Sequence, residues 1–186
     1  MQPESTERLD FRFVTPADAE ALDALNGAPG VMQYLDRNPP TLKHVRDQLI
    51  PEQQRIAQEF QGYGQWVATL KKTGEFVGWF ELEPNHPNPG DAEIGYRLHP
   101  DYWGQGLASE GARELLRHAF VTLNAGRVTA ITMAVNTPSR RVMERIGLTY
   151  VRTFHEQFDD PLPGTEKGEV EYALTREEWL LRRAEG

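Results

Sequence analysis

The sequence predicts an α/β chain built on one mixed sheet with helices on both faces, and three observations carry that expectation. Stretches of period-two alternation are interleaved with stretches of helical spacing. The middle of the chain reads as hairpins, which make antiparallel neighbours. At ~150 residues per domain, a length of 186 residues favours one folded unit. The expected division is a frayed polar terminus over 1–8 and a single domain over 9–186.

The elements follow in order. Leu9, Phe11 and Phe13 alternate with Asp10 and Arg12, a strand signal. Thr15-Pro16 opens a helix: Thr suits the cap, Pro the first helical position, and Ala17 to Leu25 are good helix formers. Gly27 to Pro40 is irregular and holds Met32, Tyr34 and Leu35. After Pro39-Pro40-Thr41, apolar positions Leu42, Val45, Leu49, Ile56 and Phe60 run at helical spacing, with a kink or break expected at Pro51. Gln65 to Leu70 and Phe76 to Leu82 flank the turn Lys71-Lys72-Thr73-Gly74-Glu75 as a hairpin. Pro84 to Gly90 is a loop by composition, and Ala92 to Leu98 a third strand of this block, stopped by His99-Pro100. Leu107, Gly111, Leu115, Ala119 and Leu123 share one helical face, and Asn124-Ala125-Gly126 ends that helix. Arg127 to Val135 is a strand, Thr137-Pro138 opens a short helix closing at Gly147, and Leu148 to Phe154 and Val170 to Leu174 are strands around a loop over 159–168. Thr175 caps a final helix from Arg176 to Ala184.

Composition narrows the function. Hydrophobic residues at 39% and charged residues at 26% argue against wholesale disorder. There is no cysteine, which excludes a disulfide scaffold, a thiolate metal site and a cysteine nucleophile. The formal net charge of −8 is a poor match to phosphate-rich nucleic acid. No apolar run is long enough to span a membrane, and the polar start Met-Gln-Pro-Glu lacks a signal-peptide pattern, so the expected location is cytoplasmic, with no membrane partner.

Gly104 and Gly106 stand two apart at the mouth of a long helix, where unpaired N–H groups and the helix dipole favour an anion. A tight turn explains the same glycines. Ser109 breaks the dinucleotide fingerprint Gly-x-Gly-x-x-Gly, and no Gly-Lys-Ser/Thr occurs, which disfavours dinucleotides and nucleoside triphosphates.

Three motifs in order, Glu93-Ile94-Gly95-Tyr96, Trp103 to Glu110 (Trp-Gly-Gln-Gly-Leu-Ala-Ser-Glu) and Asn136 to Leu148, resemble the GNAT superfamily of acetyl-CoA-dependent N-acyltransferases. The chain is most similar to the branch that holds the ribosomal-protein N-terminal-alanine and N-terminal-serine acetyltransferases. The resemblance covers about residues 9–175. It implies a mostly antiparallel sheet splayed at two parallel strands, with acetyl-CoA as cosubstrate and no metal. It further implies that backbone amides of Gly104, Gln105, Gly106, Leu107, Ala108 and Ser109 hold the coenzyme pyrophosphate. Leu98 and His99 would meet the pantetheine arm through their backbone, and Asn136 would contact it with its side chain, although Asn is also an ordinary cap residue. Trp103 stands where the superfamily usually has Arg or Gln, and Met143 where many members have a proton-donating Tyr.

An amine must lose a proton before it attacks a thioester. Glu93 matches the acidic position many members use as base, beside the reading of an ordinary strand Glu. Ser139 matches a hydroxyl proposed to protonate the leaving thiolate, beside the reading of a helix-start cap. Tyr34, Tyr96, His155 and Glu156 are candidates for the acceptor side, beside the reading of Tyr34 and Tyr96 as core aromatics. The leading expectation is therefore acetyl transfer from acetyl-CoA to a primary amine, either a protein N-terminus or a small molecule, by direct attack. A GNAT module that binds acyl-CoA without turnover is the alternative, kept open by Met143. A homodimer is compatible with either.

Overall fold

The computed structural model describes residues 1–85 and 90–184. Residues 86–89 of the expected Pro84–Gly90 loop, and residues 185–186 of the expected domain, lie outside the described residues.

Seven strands form one sheet: β1 (Leu9–Phe13), β2 (Gly64–Leu70), β3 (Phe76–Pro84), β4 (Asp91–Leu98), β5 (Arg127–Met133), β6 (Thr149–Phe154) and β7 (Glu169–Thr175). Their spatial order is β1-β2-β3-β4-β5-β7-β6. Every neighbouring pair is antiparallel except β4 and β5. The helices are α1 (Ala19–Gly27), α2 (Leu42–His44), α3 (Ile50–Glu59), α4 (Leu107–Arg117), α5 (Thr137–Arg145) and α6 (Arg176–Ala184). No helix among the described residues is long and apolar enough to cross a membrane.

Alternation along β2 and β3 divides the core between two faces. Trp66 and Phe80 pack with Leu107, Leu115, Leu116 and Phe120 under α4, in a cluster that also takes Met143 and Ile146. Val67 and Trp79, one residue away, pack with Leu22, Leu25, Val45 and Ile50 on the opposite face. This is the helix-on-both-faces arrangement the sequence predicts.

Two local structures depart from the simplest reading. No break occurs at Pro51. α2 continues through a wide π turn, Val45–Leu49, into α3, and Pro51 lies at the head of α3. Proline lacks an N–H and its ring crowds the carbonyl four residues back. The wider turn, in which Ile50 N–H reaches Val45 O, accommodates it without ending the helix. The first residues, which the sequence offers as a frayed end, lie along α4: Glu4 N–H donates to Glu114 Oε1 at 2.6 Å and Thr6 Oγ1 to Glu110 Oε1 at 2.6 Å.

Candidate active site

The sheet opens in its middle. β3 and β4 pair continuously from Pro84↔Ala92 to Gly78↔Leu98. β4 and β5 pair only from Asp91↔Arg127 to Glu93↔Thr129. Beyond that point β5 stays with β7 as far as Met133, so β4 and β5 part company. Asn85 N–H bonds Asp91 O at 3.0 Å and His99 N–H bonds Val77 O at 2.9 Å, which sets the ladder phase on β4. Odd-numbered residues bond to β3, and Tyr96 and Leu98 turn their backbone amide groups toward the gap. Leu98 O receives Trp103 Nε1 at 2.8 Å. The parting strands open a cleft of about 580 Å³.

One wall of the cleft is the turn into α4. Gly106 is its N-cap with φ +80°, a left-handed conformation that suits glycine. The first amide to find a carbonyl at this end is that of Glu110, on Gly106 O at 3.0 Å. The N–H groups of residues 104–109 precede it and, with the positive end of the α4 dipole, form a place for an anion. A Cβ built at Gly104 would meet nothing within 4 Å, so that backbone is open to a ligand. Arg8 ties the turn down: its Nη1 donates to Gln105 O at 3.0 Å while its Nε pairs with Glu110 at 2.6 Å. These features fit the phosphate end of a coenzyme.

A second wall is the start of α5. Asn136 Oδ1 accepts from Ser139 N–H at 3.3 Å and its Nδ2 donates to Thr132 Oγ1 at 2.9 Å. Asn136 thus caps the helix while lining the cleft. Ser139 Oγ does not cap; it lies 3.1 Å from the Tyr96 hydroxyl, which also donates to Ser139 O. Burial pushes the Tyr96 phenol up to about 12, so it keeps its proton at neutral pH. Met143, also on the lining, is buried in the core cluster.

The third wall is acidic. Glu81 and Glu83 of β3 and Glu93 of β4 all face the cleft. Glu83 sits across from Glu93, and Glu81 across from Gly95. Gln65 Nε2 donates to Glu81 Oε2 at 3.1 Å, and Gln53 Nε2 to Glu83 Oε1 at 2.7 Å. Burial, reinforced by Glu83, pushes the Glu81 carboxyl up to about 7. Burial, with Glu83 and Glu171 nearby, also raises Glu93. Arg97 is the neighbouring cation. It is engaged with Asn26 and lies 5.0 Å over the Trp79 ring.

Most residues selected from the sequence therefore meet in one cavity. Glu93, Leu98, Gly104, Gly106, Leu107, Ala108 and Ser109 line it, together with Asn136, Ser139, Tyr34 and Tyr96. Four do not. His99 lies off the lining, with its N–H committed to Val77 O and its carbonyl already accepting from Tyr102 N–H. Gln105 turns its side chain back to Asp101 O and its carbonyl to Arg8. His155 and Glu156 line a separate open hollow with Phe158 and Leu162. They follow β6, with β7 between β6 and β5, and are not on the lining of the cleft. Sequence reasoning missed Glu81, Glu83 and Arg8. Alternation in Trp79-Phe80-Glu81-Leu82-Glu83 places both carboxylates on the Trp79 face, a usable signal once the register with β4 is known. Among the described residues, no group of three or more His, Asp or Glu side chains is arranged to hold a metal ion.

Comparison with known proteins gives a consistent result. Residues 8–149 match the family described as "Acetyltransferase (GNAT) domain". The "FsC-acetyl coenzyme A-N(2)-transacetylase" of Aspergillus fumigatus is 42% identical over 182 residues, covering 94% of this chain and 77% of that protein. The crystal structure of a GNAT-family acetyltransferase from Bacillus anthracis is 26% identical, with a TM-score of 0.77, covering 94% of this chain and 98% of that one. RimL, a ribosomal-protein alpha-N-acetyltransferase solved with coenzyme A, shares the fold at 21% identity and a TM-score of 0.77, covering 93% and 97% of the two chains.

Proposed function

The chain belongs to the GNAT acetyltransferases, and from that premise we propose that it moves the acetyl group of acetyl-CoA directly onto a primary amine held at the acidic wall of the cleft. The observation that carries this reading is the gap between β4 and β5, with an anion-binding turn at one wall and three carboxylates at another.

The residues divide the work. Backbone amides of residues 104 and 106–109 take the pyrophosphate, and Gln105 contributes only its amide. Tyr96 and Leu98 offer their backbone to the pantetheine arm, with Asn136 beside them. A carboxylate of the acidic wall, which includes Glu93, receives the amine proton. The Ser139–Tyr96 hydroxyl pair supplies a donor for the departing sulfur. Attack by the amine on the thioester carbonyl needs no enzyme nucleophile, in keeping with a chain that has no cysteine.

The acceptor is a cation before it reacts, and the acidic wall suits it. The test is a screen of acetyl-CoA against peptide N-termini, polyamines, amino acids, aminoglycosides and FsC, the last because it appears in the name of the fungal relative. Free coenzyme release is the readout. Turnover on at least one amine is expected. Coenzyme binding without turnover on any of them would instead favour a binding module.

A further inference from the structure

We propose that Glu81 is the residue that takes the acceptor's proton, its carboxyl seated in the space that Gly95 leaves on the facing strand. This rests on the acetyltransferase reading above and names the proton acceptor within it.

The pairing register sets Glu81 directly across from Gly95. A Cβ at Gly95 would lie 2.4 Å from Glu81 Oε1 and 2.9 Å from its Cγ. Glycine weakens a strand interior, and Gly95 has no left-handed backbone to justify it. Room for the Glu81 carboxyl is what it provides. One carboxyl oxygen, Oε2, is fixed by Gln65 of β2. The other, Oε1, lies over Gly95 on the cleft lining.

The charged groups facing Glu81 are Glu83 on its own strand and Glu93 and Arg97 on β4. Two are negative, and the single cation is already engaged with Asn26 and Trp79. A buried carboxyl with like charges beside it holds a proton near neutral pH, which matches its affinity to the task of a general base. The Glu93 side chain makes no hydrogen bond among the described residues and lies diagonally across the ladder, at the next pair on the same face. Its charge, after that of Glu83, adds to the proton affinity of Glu81.

The step balances as follows in atoms. The acceptor's ammonium gives one proton to the Glu81 carboxylate. The neutral nitrogen then forms the C–N bond as the thioester C–S bond breaks. The second proton of that nitrogen leaves with the sulfur as a thiol, and Glu81 returns its proton to water.

Two measurements on the full chain test this. In the first, side-chain carboxyls of glutamate-labelled protein are titrated by carbon NMR without coenzyme. One carboxyl titrating near neutral pH is expected in the wild type, absent in Glu81→Gln, and shifted to lower pH in Glu93→Gln. A near-neutral carboxyl that survives Glu81→Gln and vanishes in Glu93→Gln overturns the assignment. In the second, kcat/KM is followed against pH with the amine the wild type acetylates. Glu81→Gln is expected to lose the acid limb and fall ~100-fold or more near pH 7.5, the scale of general-base catalysis. Glu93→Gln keeps the limb, displaced to lower pH. A Glu81→Gln enzyme with the wild-type limb and rate overturns the proposal. Gly95→Ala retains every ionisable group and crowds the Glu81 side chain. It is expected to depress kcat without weakening coenzyme binding, and an unchanged kcat contradicts the seating. Should the wild type acetylate no amine, the acetyltransferase reading fails while the NMR titration still decides where the proton sits.

Discussion

Glu81 is held at a cost to the fold, and that cost has a sign. Its carboxyl titrates at about 7 in the folded chain against an ordinary value of 4.5. Between those values the folded state binds more protons than the unfolded state, so stability falls as pH rises through the window. Glu81→Gln removes the ionisation. It is expected to stabilise the protein by about 1–3 kcal/mol at pH 8 and to leave it nearly unchanged at pH 4. For a chain of this size that is a rise in Tm of several degrees, readable by thermal denaturation at the two pH values. A gain in stability joined to a loss of activity marks a residue kept for function. Ser139 makes the complementary case. With Ser139→Ala, Asn136 still accepts from the backbone N–H at 139, so the cap survives. Turnover is expected to fall ~10-fold with Tm within ~2 °C, a hydroxyl contributing on the order of 1 kcal/mol as donor. An unaltered rate would leave Ser139 a bystander to Tyr96. Ser139 was legible in the sequence because it sits at a fixed offset from Asn136 in a local motif. Glu81 was not, because its significance lies across the ladder at Gly95, and register is a tertiary property that a strand's own sequence fixes only in part.

At the scale of elements, the turn into α4 does the most with the fewest residues. Its amides are available because the first turn of any helix leaves them unpaired, and Gly106 at φ +80° bends the chain into place. Valine there would carry the left-handed strain and a branched Cβ beside the Arg8 guanidinium. Gly106→Val is expected to weaken coenzyme affinity at least ~10-fold, about 1.4 kcal/mol, by calorimetry. Equal affinity would remove the phosphate from this turn. The glycine spacing and helix pattern made this element readable from the sequence alone. Its tether was not readable: Arg8 is separated from Gln105 by nearly a hundred residues and meets it only because β1 and the segment before it run beside α4. Trp103 likewise looked like a missing cation. Its indole N–H on Leu98 O ties the turn to the end of β4 instead. At Pro51, composition correctly flagged irregularity, while the choice between a break and a π turn was made by the packing of Val45 and Ile50 on Val67 and Trp79.

Across the whole molecule, charge is divided as the two ligands require. The stretch 97–152 carries eight basic side chains against four acidic, while the remainder carries twelve against twenty-four. The basic stretch contains β4's end, α4 and α5, the walls of the cleft proposed for the coenzyme, with Arg141 and Arg145 on the lining. The acidic wall comes from β3 and the start of β4. Screening shortens such fields to about 8 Å at physiological ionic strength and about 3 Å at 1 M. Raising salt is therefore expected to raise KM for both acetyl-CoA and a cationic acceptor a few-fold, with kcat little changed. A KM for acetyl-CoA that ignores salt would assign its binding to backbone amides alone. The fold class, the mixed sheet and the two helical faces were legible because they follow from periodicity and hairpin signals. The depth of the cleft was not, since it depends on where β4 and β5 stop pairing.

In direct transfer the acetyl group passes in one step from the thioester to an amine in the gap between those strands. The most direct measurement is rapid quench of the enzyme with labelled acetyl-CoA and its acceptor, followed by intact-mass analysis of protein and product. Label on the amine in step with thiol release, with unmodified protein at every time point, is the expected result. An acetylated protein that forms before the product and decays with its appearance would contradict direct transfer.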